Sequence, residues 1–375
     1  WDWIIMNCIS EDFSMATKAK KKMSKKQMKR KKQKRMLVIE FCILLVLLVA
    51  LFVWVKLGKL DFNTLRNMAT NTLDDETKEL LSGYTTIALF GVDNRSNGNY
   101  DSGNSDSIMI CSINNDTKEV KIVSVYRDTF MDVDGNGTLK KCNYAYNHGG
   151  VEEAIEMLNR NLDLDIQNYV SVDFYALSEA VDAVGGITLP EGLGEEEASY
   201  TNQYISEVAS VTGKGAEAVV AGQTELNGVQ AVAYCRVRYT SGGDFKRAER
   251  QRTVVNCLVE EVKGASVFEL NDLVDGILPY ISTSLSASNI MGMATAMQDY
   301  TLAESHGFPF EMRTETYGSN PGSVDVPCTL ESNVSELYQF LFNEQHVAST
   351  ELQEISNSII NYTGFTESSA VDYGY

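Results

Sequence analysis

Short apolar runs alternate along most of the chain with stretches in which apolar residues recur every three or four positions. Runs that end in glycine or in polar residues are typical of buried strands, whereas Val151, Ala154, Leu158 and Leu162 follow the spacing of one helix face. The pattern predicts strands at residues 85–91, 105–113, 119–126, 169–174 and 187–189, and helices at 151–162, 175–184, 225–233 and from residue 244 onward. Strands and helices that alternate in this way predict an α/β sandwich.

Other segments have weaker patterns. Residues 234–239 are predicted to be extended, and residues 191–215, which are acidic and rich in small side chains, are predicted to form a loop or lid. Residues 56–83 are polar and mixed, as expected of a stalk, and the polar residues 346–375 are predicted to form a flexible tail. A single folded domain is therefore expected at residues 84–345.

The longest apolar stretch lies near the N-terminus. Residues 36–55 are apolar except for Glu40, and twenty residues of helix span about 30 Å, the thickness of the hydrocarbon core of a bilayer. Residues 18–35 hold twelve Lys or Arg and no acid, and this basic flank places the N-terminal tail 1–35 in the cytoplasm. A cleaved signal peptide is the alternative, but residues 56–60 offer no small-x-small cleavage site. We therefore predict a single-pass membrane protein whose main domain lies outside the cytoplasm.

Charge and cysteine content narrow the class of protein. The whole chain of 375 residues has a net charge of −19. Without the twelve basic residues and the three acids before them, 20 Lys+Arg remain against 48 Asp+Glu, a net charge of −28 for residues 36–375. Nucleic-acid binders need a basic surface, so none is expected in the main domain. No Cys-x-x-Cys pair occurs among the seven cysteines, so neither a zinc site nor a dithiol motif is predicted.

Two aspartates occupy predicted strand ends. Asp93 follows the first strand, and Asp106 opens the second. Strand ends in α/β sheets face the ligand crevice, so two carboxylates there suit Mg²⁺, an ion that takes oxygen ligands. From the spacing alone, turn-forming or helix-capping aspartates are the simpler interpretation.

Arginines form the second group of candidate residues. Arg236 and Arg238 lie two apart in the segment predicted to be extended, so their side chains would share one face. Asp244 is predicted to cap the next helix, whose first two turns carry four cations and one acid, although cations at that end oppose the helix dipole. A bound phosphate would stabilise both arrangements. Arg127 follows another strand, where Asp128 could simply pair with it. The alternative is a solvated basic face, which the strongly acidic domain makes less favourable.

At these residues the sequence resembles the LytR-CpsA-Psr (LCP) family of cell-envelope proteins. The resemblance covers residues 84–345, with the same N-terminal anchor, and it rests on motifs that occur in order. The motifs are GVDNR (91–95), SDSI (105–108), YRDT (126–129), KCNYAY (141–146) with GG (149–150), NYVSVDF (168–174), VGG (184–186), LNG (226–228) through YCRVR (234–238), and DFKR to RQ (244–251). One position departs from the family. Tyr126 stands where proline often precedes Arg-Asp-Thr, which puts the presentation of Arg127 in question.

The resemblance implies a three-layer α-β-α sandwich with a central mixed sheet, preceded by one transmembrane helix. It also implies a Mg²⁺- or Mn²⁺-dependent phosphotransferase, with pyrophosphatase side activity, at the cell membrane of a Gram-positive bacterium. Such an enzyme moves teichoic acid, capsule polysaccharide or a similar glycopolymer from polyprenyl pyrophosphate to peptidoglycan, and an apolar tunnel would hold the lipid. The expected partners are the lipid-linked glycan, peptidoglycan and the membrane, with no nucleic acid.

The resemblance also assigns roles to individual residues. Asp93 and Asp106 match the metal site. The residues that match substrate-binding positions at the pyrophosphate are Arg95, Arg127, Arg236, Arg238, Arg247, Arg250 and Gln251. Asp93, Arg127, Arg236 and Arg238 are expected to be catalytic, because a metal and arginines stabilise the charge that develops in phosphoryl transfer. The general base stays open between Asp93 and Asp106.

Two other functions stay open at this point. Proteins of this type have been labelled transcriptional attenuators, and the basic residues 18–35 could touch nucleic acid, although the predicted topology places the main domain outside. A catalytically silent scaffold that binds lipid or glycan is the second alternative. The metal-ready pair Asp93 and Asp106 argues against it, because binding alone needs no such pair.

Overall fold

The computed structural model describes residues 68–93, 100, 103–265, 277–286, 289–290, 293 and 296–374. Its α-helices are α1 (Asp75–Ser82), α2 (Asn143–Leu162), α3 (Phe174–Ala183), α4 (Glu195–Thr212), α5 (Gly228–Tyr234), α6 (Gly243–Gly264), α7 (Leu330–Phe342) and α8 (Thr350–Thr363). Its strands are β1 (Tyr84–Val92), β2 (Ser105–Asn114), β3 (Glu119–Val125), β4 (Phe130–Asp132), β5 (Leu139–Lys141), β6 (Asn168–Val172), β7 (Ile187–Thr188), β8 (Glu225–Leu226), β9 (Ser282–Thr283), β10 (Thr301–Phe308), β11 (Met312–Tyr317) and β12 (Gly322–Pro327).

The predicted cytoplasmic tail 1–35 and transmembrane segment 36–55 lie outside the described residues. Within the part of the chain that the structure describes, no helix is both long and apolar enough to cross a membrane.

A mixed sheet with the strand order β10-β3-β2-β1-β6-β9 forms the centre of the domain. β1 pairs antiparallel with β2 and parallel with β6, while β3 pairs antiparallel with β2 and parallel with β10. Parallel neighbours need a crossover, and α2 lies in the connection that leads from the first three strands to β6. The predicted α/β fold with a central mixed sheet is confirmed.

Side chains of the central strands alternate between two apolar layers, because successive residues of a strand point to opposite faces. Ala88, Phe90 and Ile110 belong to the main core, to which α1, α2, α7 and α8 also contribute. Ile87 and Met109 lie on the other face, against which Val255 of α6 packs. Both faces are covered, which explains why β1 and β2 read as nearly continuous apolar runs.

A separate apolar cluster joins α3, α4 and α5. Val181, Val208 and Val232 are buried in it together with Val254 of α6. Since Val254 belongs to this cluster and the neighbouring Val255 packs against the sheet, α6 connects the two.

The predicted flexible tail is wrong for much of its length. α8 lies within it, and Leu352 and Ile355 of α8 are buried in the main core. Their spacing of three positions is that of one helix face. Part of the predicted stalk is also folded, because Met68 and Leu73 are buried in the same core. The folded domain therefore extends beyond residues 84–345 in both directions.

The loop or lid predicted at residues 191–215 is also wrong, because α4 occupies most of that segment. Ala198, Thr201, Ile205 and Val208 are buried at successive intervals of three or four residues, which is one face of a helix. The acidic residues that suggested a loop cluster in the first turn of α4, where they favour the positive end of the helix dipole.

Residues 234–239 are not the predicted strand. α5 ends at Tyr234, and the backbone N–H groups of Arg236 and Val237 donate to the carbonyls of Ala233 and Tyr234 in a turn. Helix-type hydrogen bonds thus continue past the end of α5. Arg236 and Arg238 consequently do not share a strand face, and each has its own surroundings.

Candidate active site

The two candidate metal ligands lie side by side at one edge of the sheet. Asp93 directly follows β1 and Asp106 is the second residue of β2, and these strands pair antiparallel with Val92 opposite Ser105. The end of one strand therefore meets the start of the next. The backbone N–H of Asp93 donates to the carbonyl of Asn104 at 3.1 Å, which holds the two strand ends together.

Arg127 lies next to this pair, in the turn that begins two residues after the end of β3. Its Nη1 donates to Asp106 Oδ1 at 2.9 Å, and its Nε is 2.9 Å from Asp244 Oδ2. Burial lowers the pKa of Arg127, but the carboxylates of Asp244, Asp106 and Asp128 together outweigh it, and the pKa lies above the ordinary value. Arg127 is therefore a firmly charged guanidinium between two carboxylates.

Asp244 is the centre of the arginine cluster. Besides Arg127, it contacts Arg238 through Nε at 3.1 Å and Arg247 through Nη2 at 2.9 Å. The prediction that Asp244 caps α6 is wrong, because Gly242 holds the N-cap position and no side chain caps the helix there. One turn of helix separates Asp244 from Arg247, so this ion pair could have been read from the sequence.

Arg247 is the most enclosed member of the cluster, with only 6% of its side chain exposed. Its Nη2 also donates to the backbone carbonyl of Asp106 at 3.1 Å, which ties α6 to the start of β2. Burial lowers the pKa of Arg247 to about 10 despite the charge of Asp244, and the positive charges of Arg127 and Arg238 act in the same direction as burial. Asp244 thus contacts three arginines, and the oxygens of a bound phosphate could take the place of its carboxylate in these contacts.

Arg236 lies apart from the Asp244 cluster. Its guanidinium carbon is 4.8 Å from the centre of the Phe174 ring and 5.0 Å from that of Tyr204, and its Nη1 is 3.2 Å from Glu207. The two rings hold the guanidinium plane by cation–π contact. Neither Glu207 nor the two rings was predicted from the sequence, because they come from α3 and α4.

Arg250 has a different environment from the other candidate arginines. It donates to Glu197 at 2.8 Å, to the carbonyl of Val237 at 3.2 Å and to Thr240 Oγ1 at 2.7 Å. These bonds hold the segment that carries Arg238 against α4 and α6. The arrangement makes Arg250 a residue that positions the site, and its predicted contact with substrate stays untested.

An apolar cavity of about 260 Å³ opens beside the aspartates. Leu89, Val170, Ala176, Val232 and Val254 line it, from β1, β6, α3, α5 and α6. Polar side chains border the same cavity, namely those of Asp93, Asp106, Asp173, Arg236 and Gln251.

Asp106 and Gln251 connect this cavity with the arginines. Both residues also line a narrow crevice together with Arg127, Asp244 and Arg247. The predicted site residues that the structure describes thus line the cavity or the crevice, with two exceptions. Arg238 contacts the arginine cluster through Asp244, and Arg250 holds the segment that carries Arg238. Arg95 lies outside the described residues.

The chemistry of the site suits a charged group at the end of an apolar chain. Asp93 Oδ1 is buried and accepts no hydrogen bond in the structure, which marks it as an oxygen that a cation could satisfy. No group of three or more His, Cys, Asp or Glu suited to metal binding occurs in the described ranges. Burial raises the pKa of the Cys235 thiol beside the cavity to about 12, so this cysteine is not a nucleophile at neutral pH.

The chain is similar in sequence to a known protein family and to named transferases. The sequence model of the LytR_cpsA_psr family matches residues 58–320. The polyisoprenyl-teichoic acid–peptidoglycan teichoic acid transferase TagU of Enterococcus faecalis is 30% identical over 211 residues, which are 56% of this chain and 64% of the relative. The match thus spans less than two thirds of that relative's length.

Solved structures are similar in fold. A protein of Streptococcus agalactiae has a TM-score of 0.60 at 23% identity, and the likeness covers 79% of this chain and 98% of the other. A protein of Enterococcus faecalis, described as a transcriptional regulator, has a TM-score of 0.57 at 26% identity, with 78% and 98% covered. The family match at residues 58–320 includes the central sheet and the whole charged cluster, and the chain therefore belongs to the LytR_cpsA_psr family.

Proposed function

We propose that this protein transfers a glycopolymer, such as teichoic acid or capsule polysaccharide, from polyprenyl pyrophosphate to peptidoglycan. The observation that carries the proposal is the apolar cavity with Asp93, Asp106, Arg236 and Gln251 on its border. A polyprenyl pyrophosphate has the same division into an apolar chain and a charged head. The name of the TagU relative, a transferase of teichoic acid to peptidoglycan, supports the same reaction.

The size of the cavity bears on how the lipid would bind. A volume of about 260 Å³ lies just below the roughly 300–1,000 Å³ of ordinary small-molecule pockets. It suits the first isoprene units next to the pyrophosphate, and the rest of a long polyprenyl chain would extend beyond it.

In the proposed reaction, a hydroxyl oxygen of a peptidoglycan sugar forms a bond to the phosphorus that carries the glycan. The bond between this phosphorus and the bridging pyrophosphate oxygen breaks, and polyprenyl phosphate leaves with the bridging oxygen. Arg127, Arg238 and Arg247 would stabilise the charge on the phosphate oxygens, and Arg236 would hold the head group at the mouth of the cavity. Water in place of the sugar hydroxyl would give the pyrophosphatase side activity.

We further propose that Asp93 and Asp106 hold Mg²⁺ or Mn²⁺. The buried Oδ1 of Asp93 lacks a hydrogen bond, and a second carboxylate lies at the neighbouring strand end. Two carboxylates suffice for Mg²⁺, because this ion usually keeps several waters and binds substrate phosphates. When bound, the ion would add positive charge at the pyrophosphate. Either aspartate could receive the hydroxyl proton, although a loose transition state needs little help from a base.

The proposed reaction requires a domain outside the cytoplasm, where peptidoglycan lies. Residues 36–55 would anchor the chain as a single transmembrane helix with the tail 1–35 in the cytoplasm, as the basic residues before it indicate. The lipid-linked glycan and the cavity would then be on the same side of the membrane of a Gram-positive cell.

A regulatory function is the alternative for which a specific observation exists, since one similar structure is described as a transcriptional regulator. The test uses the purified full-length chain in detergent with Mg²⁺, a lipid-linked glycan and peptidoglycan fragments. Transfer that is lost in Asp93→Ala supports the proposed function. A folded wild-type chain that gives no transfer dependent on Asp93 would instead favour the regulator or a silent scaffold.

A further inference from the structure

A row of three aromatic rings leads from the charged site to the C-terminal segment. The Phe245 ring is 4.8 Å from the ring of Tyr126 and 5.6 Å from the ring of Tyr373, measured between centroids. Tyr126 directly precedes Arg127, and Phe245 directly follows Asp244. Both residues of the Arg127–Asp244 ion pair are therefore next in sequence to a residue whose ring belongs to this row.

Tyr126 is tightly enclosed at its own end of the row. A Cβ atom placed on Gly307 of β10 would lie 1.9 Å from Tyr126 Oη, so the ring needs a glycine at that position. Burial also raises the pKa of Tyr126. The ring that stands in place of the family's usual proline is thus fixed against β10 on one side and Phe245 on the other.

Tyr373 is fixed by hydrogen bonds to β11. Its Oη accepts from the backbone N–H of Thr314 at 2.8 Å, and the N–H of Val371 donates to the carbonyl of Met312 at 3.0 Å. The C-terminal segment 370–374 therefore lies along β11 and brings Tyr373 against Phe245.

A second route leads from Tyr373 back to the same ion pair. The hydroxyl of Thr314, the residue that binds Tyr373, donates to Asp325 Oδ1 at 2.8 Å. The N–H of Asp325 donates to the carbonyl of Asp128 at 2.9 Å, and Asp128 directly follows Arg127. Tyr373 is thus connected to Asp244 through Phe245, and to Arg127 through Thr314, Asp325 and Asp128.

We propose that segment 370–374 is a strap that positions the arginine site, with Tyr373 as the positioning residue. The strap holds the start of α6 and the end of β3 at the separation that lets Asp244 and Arg127 pair at 2.9 Å. Without the ring of Tyr373, Phe245 and the first turn of α6 lose one of the contacts that hold them, and the position of Asp244 becomes less tightly fixed. This inference rests on the proposed function only in its claim that the arginines bind pyrophosphate.

The test compares Tyr373→Ala, Tyr373→Phe and the matched control Tyr362→Ala in the full-length chain. Tyr362 is also a C-terminal aromatic, but its ring contacts Phe130 and Tyr317 rather than Phe245. The probe is inorganic pyrophosphate with Mg²⁺, and calorimetry gives its Kd. Tyr373→Ala should weaken binding about threefold to tenfold, the range expected when one aromatic contact is lost. Tyr373→Phe keeps the ring against Phe245 but loses the hydrogen bond from Thr314, so it should recover part of that loss. Tyr362→Ala should lower the melting temperature without changing Kd.

A second measurement reads positioning without any ligand. Amide hydrogen exchange in residues 243–248 should become faster in Tyr373→Ala and stay as in the wild type in Tyr362→Ala. Wild-type exchange at this segment together with wild-type Kd in Tyr373→Ala would overturn the strap. Arg236→Ala and Asp93→Ala in the same titration test the pyrophosphate site itself. If neither changes Kd, the proposed function fails, and the exchange result still decides the strap.

Discussion

Asp106 Oδ1 accepts a hydrogen bond from Arg127 Nη1 at 2.9 Å. A residue that is proposed to bind the metal is therefore hydrogen-bonded to a residue that is proposed to bind the phosphate. The same arginine reaches Asp244 with its Nε at 2.9 Å. A pyrophosphate with its metal ion could replace both contacts, because it offers oxygens to the arginine and a cation to the carboxylate. The charges of the two side chains are therefore matched to each other and also to the proposed substrate.

The role of this pair is tested with Asp106→Asn, which keeps an oxygen for Arg127 but removes the negative charge. We expect the Mg²⁺ concentration for half-maximal transfer to rise at least about tenfold, because loss of a ligand should weaken metal binding no less than loss of a residue that only orients a ligand. The measurement is a Mg²⁺ titration of the transfer rate. Asp116→Asn, in an exposed turn, is the control. An unchanged Mg²⁺ requirement would remove Asp106 from the metal site.

Arg236 is expected to contribute through a charge-assisted contact to the pyrophosphate. Arg236→Ala should lower kcat/KM by about tenfold to a hundredfold, since such a contact contributes roughly 1.5–3 kcal/mol. Arg236→Lys should recover only part of the loss, because an ammonium cannot form a forked contact or stack on Phe174 and Tyr204 in the same way. Steady-state kinetics on a lipid-linked glycan measures this, with Lys263→Ala at the far end of α6 as the control. Equal rates for Arg236→Ala and the wild type would show that Arg236 is not used.

Arg250 should matter mainly for stability. Its side chain is 6% exposed and donates to Val237 and Thr240 as well as to Glu197, which is 24% exposed, so loss of these bonds is expected to cost about 1.5–3 kcal/mol. We expect Arg250→Ala to lower the free energy of unfolding by about this amount in urea denaturation. If the variant is as stable as the wild type but loses pyrophosphate affinity, the predicted direct contact with substrate would be the better account.

Asp325 should make stability depend on pH. Burial raises the pKa of Asp325 to about 6. The nearby charge of Asp128 also raises the pKa, whereas the hydrogen bond from Thr314 lowers it. Because the folded-state pKa lies above the unfolded value of 3.8, the charged form destabilises the folded protein as pH rises through about 6. Asp325→Asn should therefore raise the free energy of unfolding by about 1–3 kcal/mol at pH 8 and have little effect at pH 4. Denaturation at both pH values measures it, and a pH-independent difference would contradict the assignment.

Membrane topology can be tested directly in cells. Protease added to intact protoplasts should remove everything beyond about residue 60, because the basic residues 18–35 keep the N-terminus inside. Immunoblotting with an N-terminal tag would detect the short remnant. Survival of the whole chain, with protease activity verified on a known surface protein, would reverse the predicted orientation.

Much of the fold could be predicted because it depends on local pattern. The runs at residues 85–91 and 105–113 lie within β1 and β2, and the predicted start of α6 at residue 244 is one residue from the observed start. The loop predicted at residues 191–215 and the flexible tail predicted at residues 346–375 were wrong because the overall polarity of these segments was given more weight than the spacing of their apolar residues. α4 is acidic and α8 is polar on average, yet both bury one face at helical spacing.

The sequence by itself determined the strand ends that carry Asp93 and Asp106, the basic start of α6 and membership of the family, because these depend on neighbouring residues and on the order of motifs. Only the tertiary structure decided that Asp244 binds three arginines, that Glu207 lies beside Arg236 and that the ring of Tyr373 packs against Phe245. Several of these contacts join residues from elements far apart in the chain. Their geometry depends on how the helices pack on the sheet, and no local pattern in a single sequence records that packing.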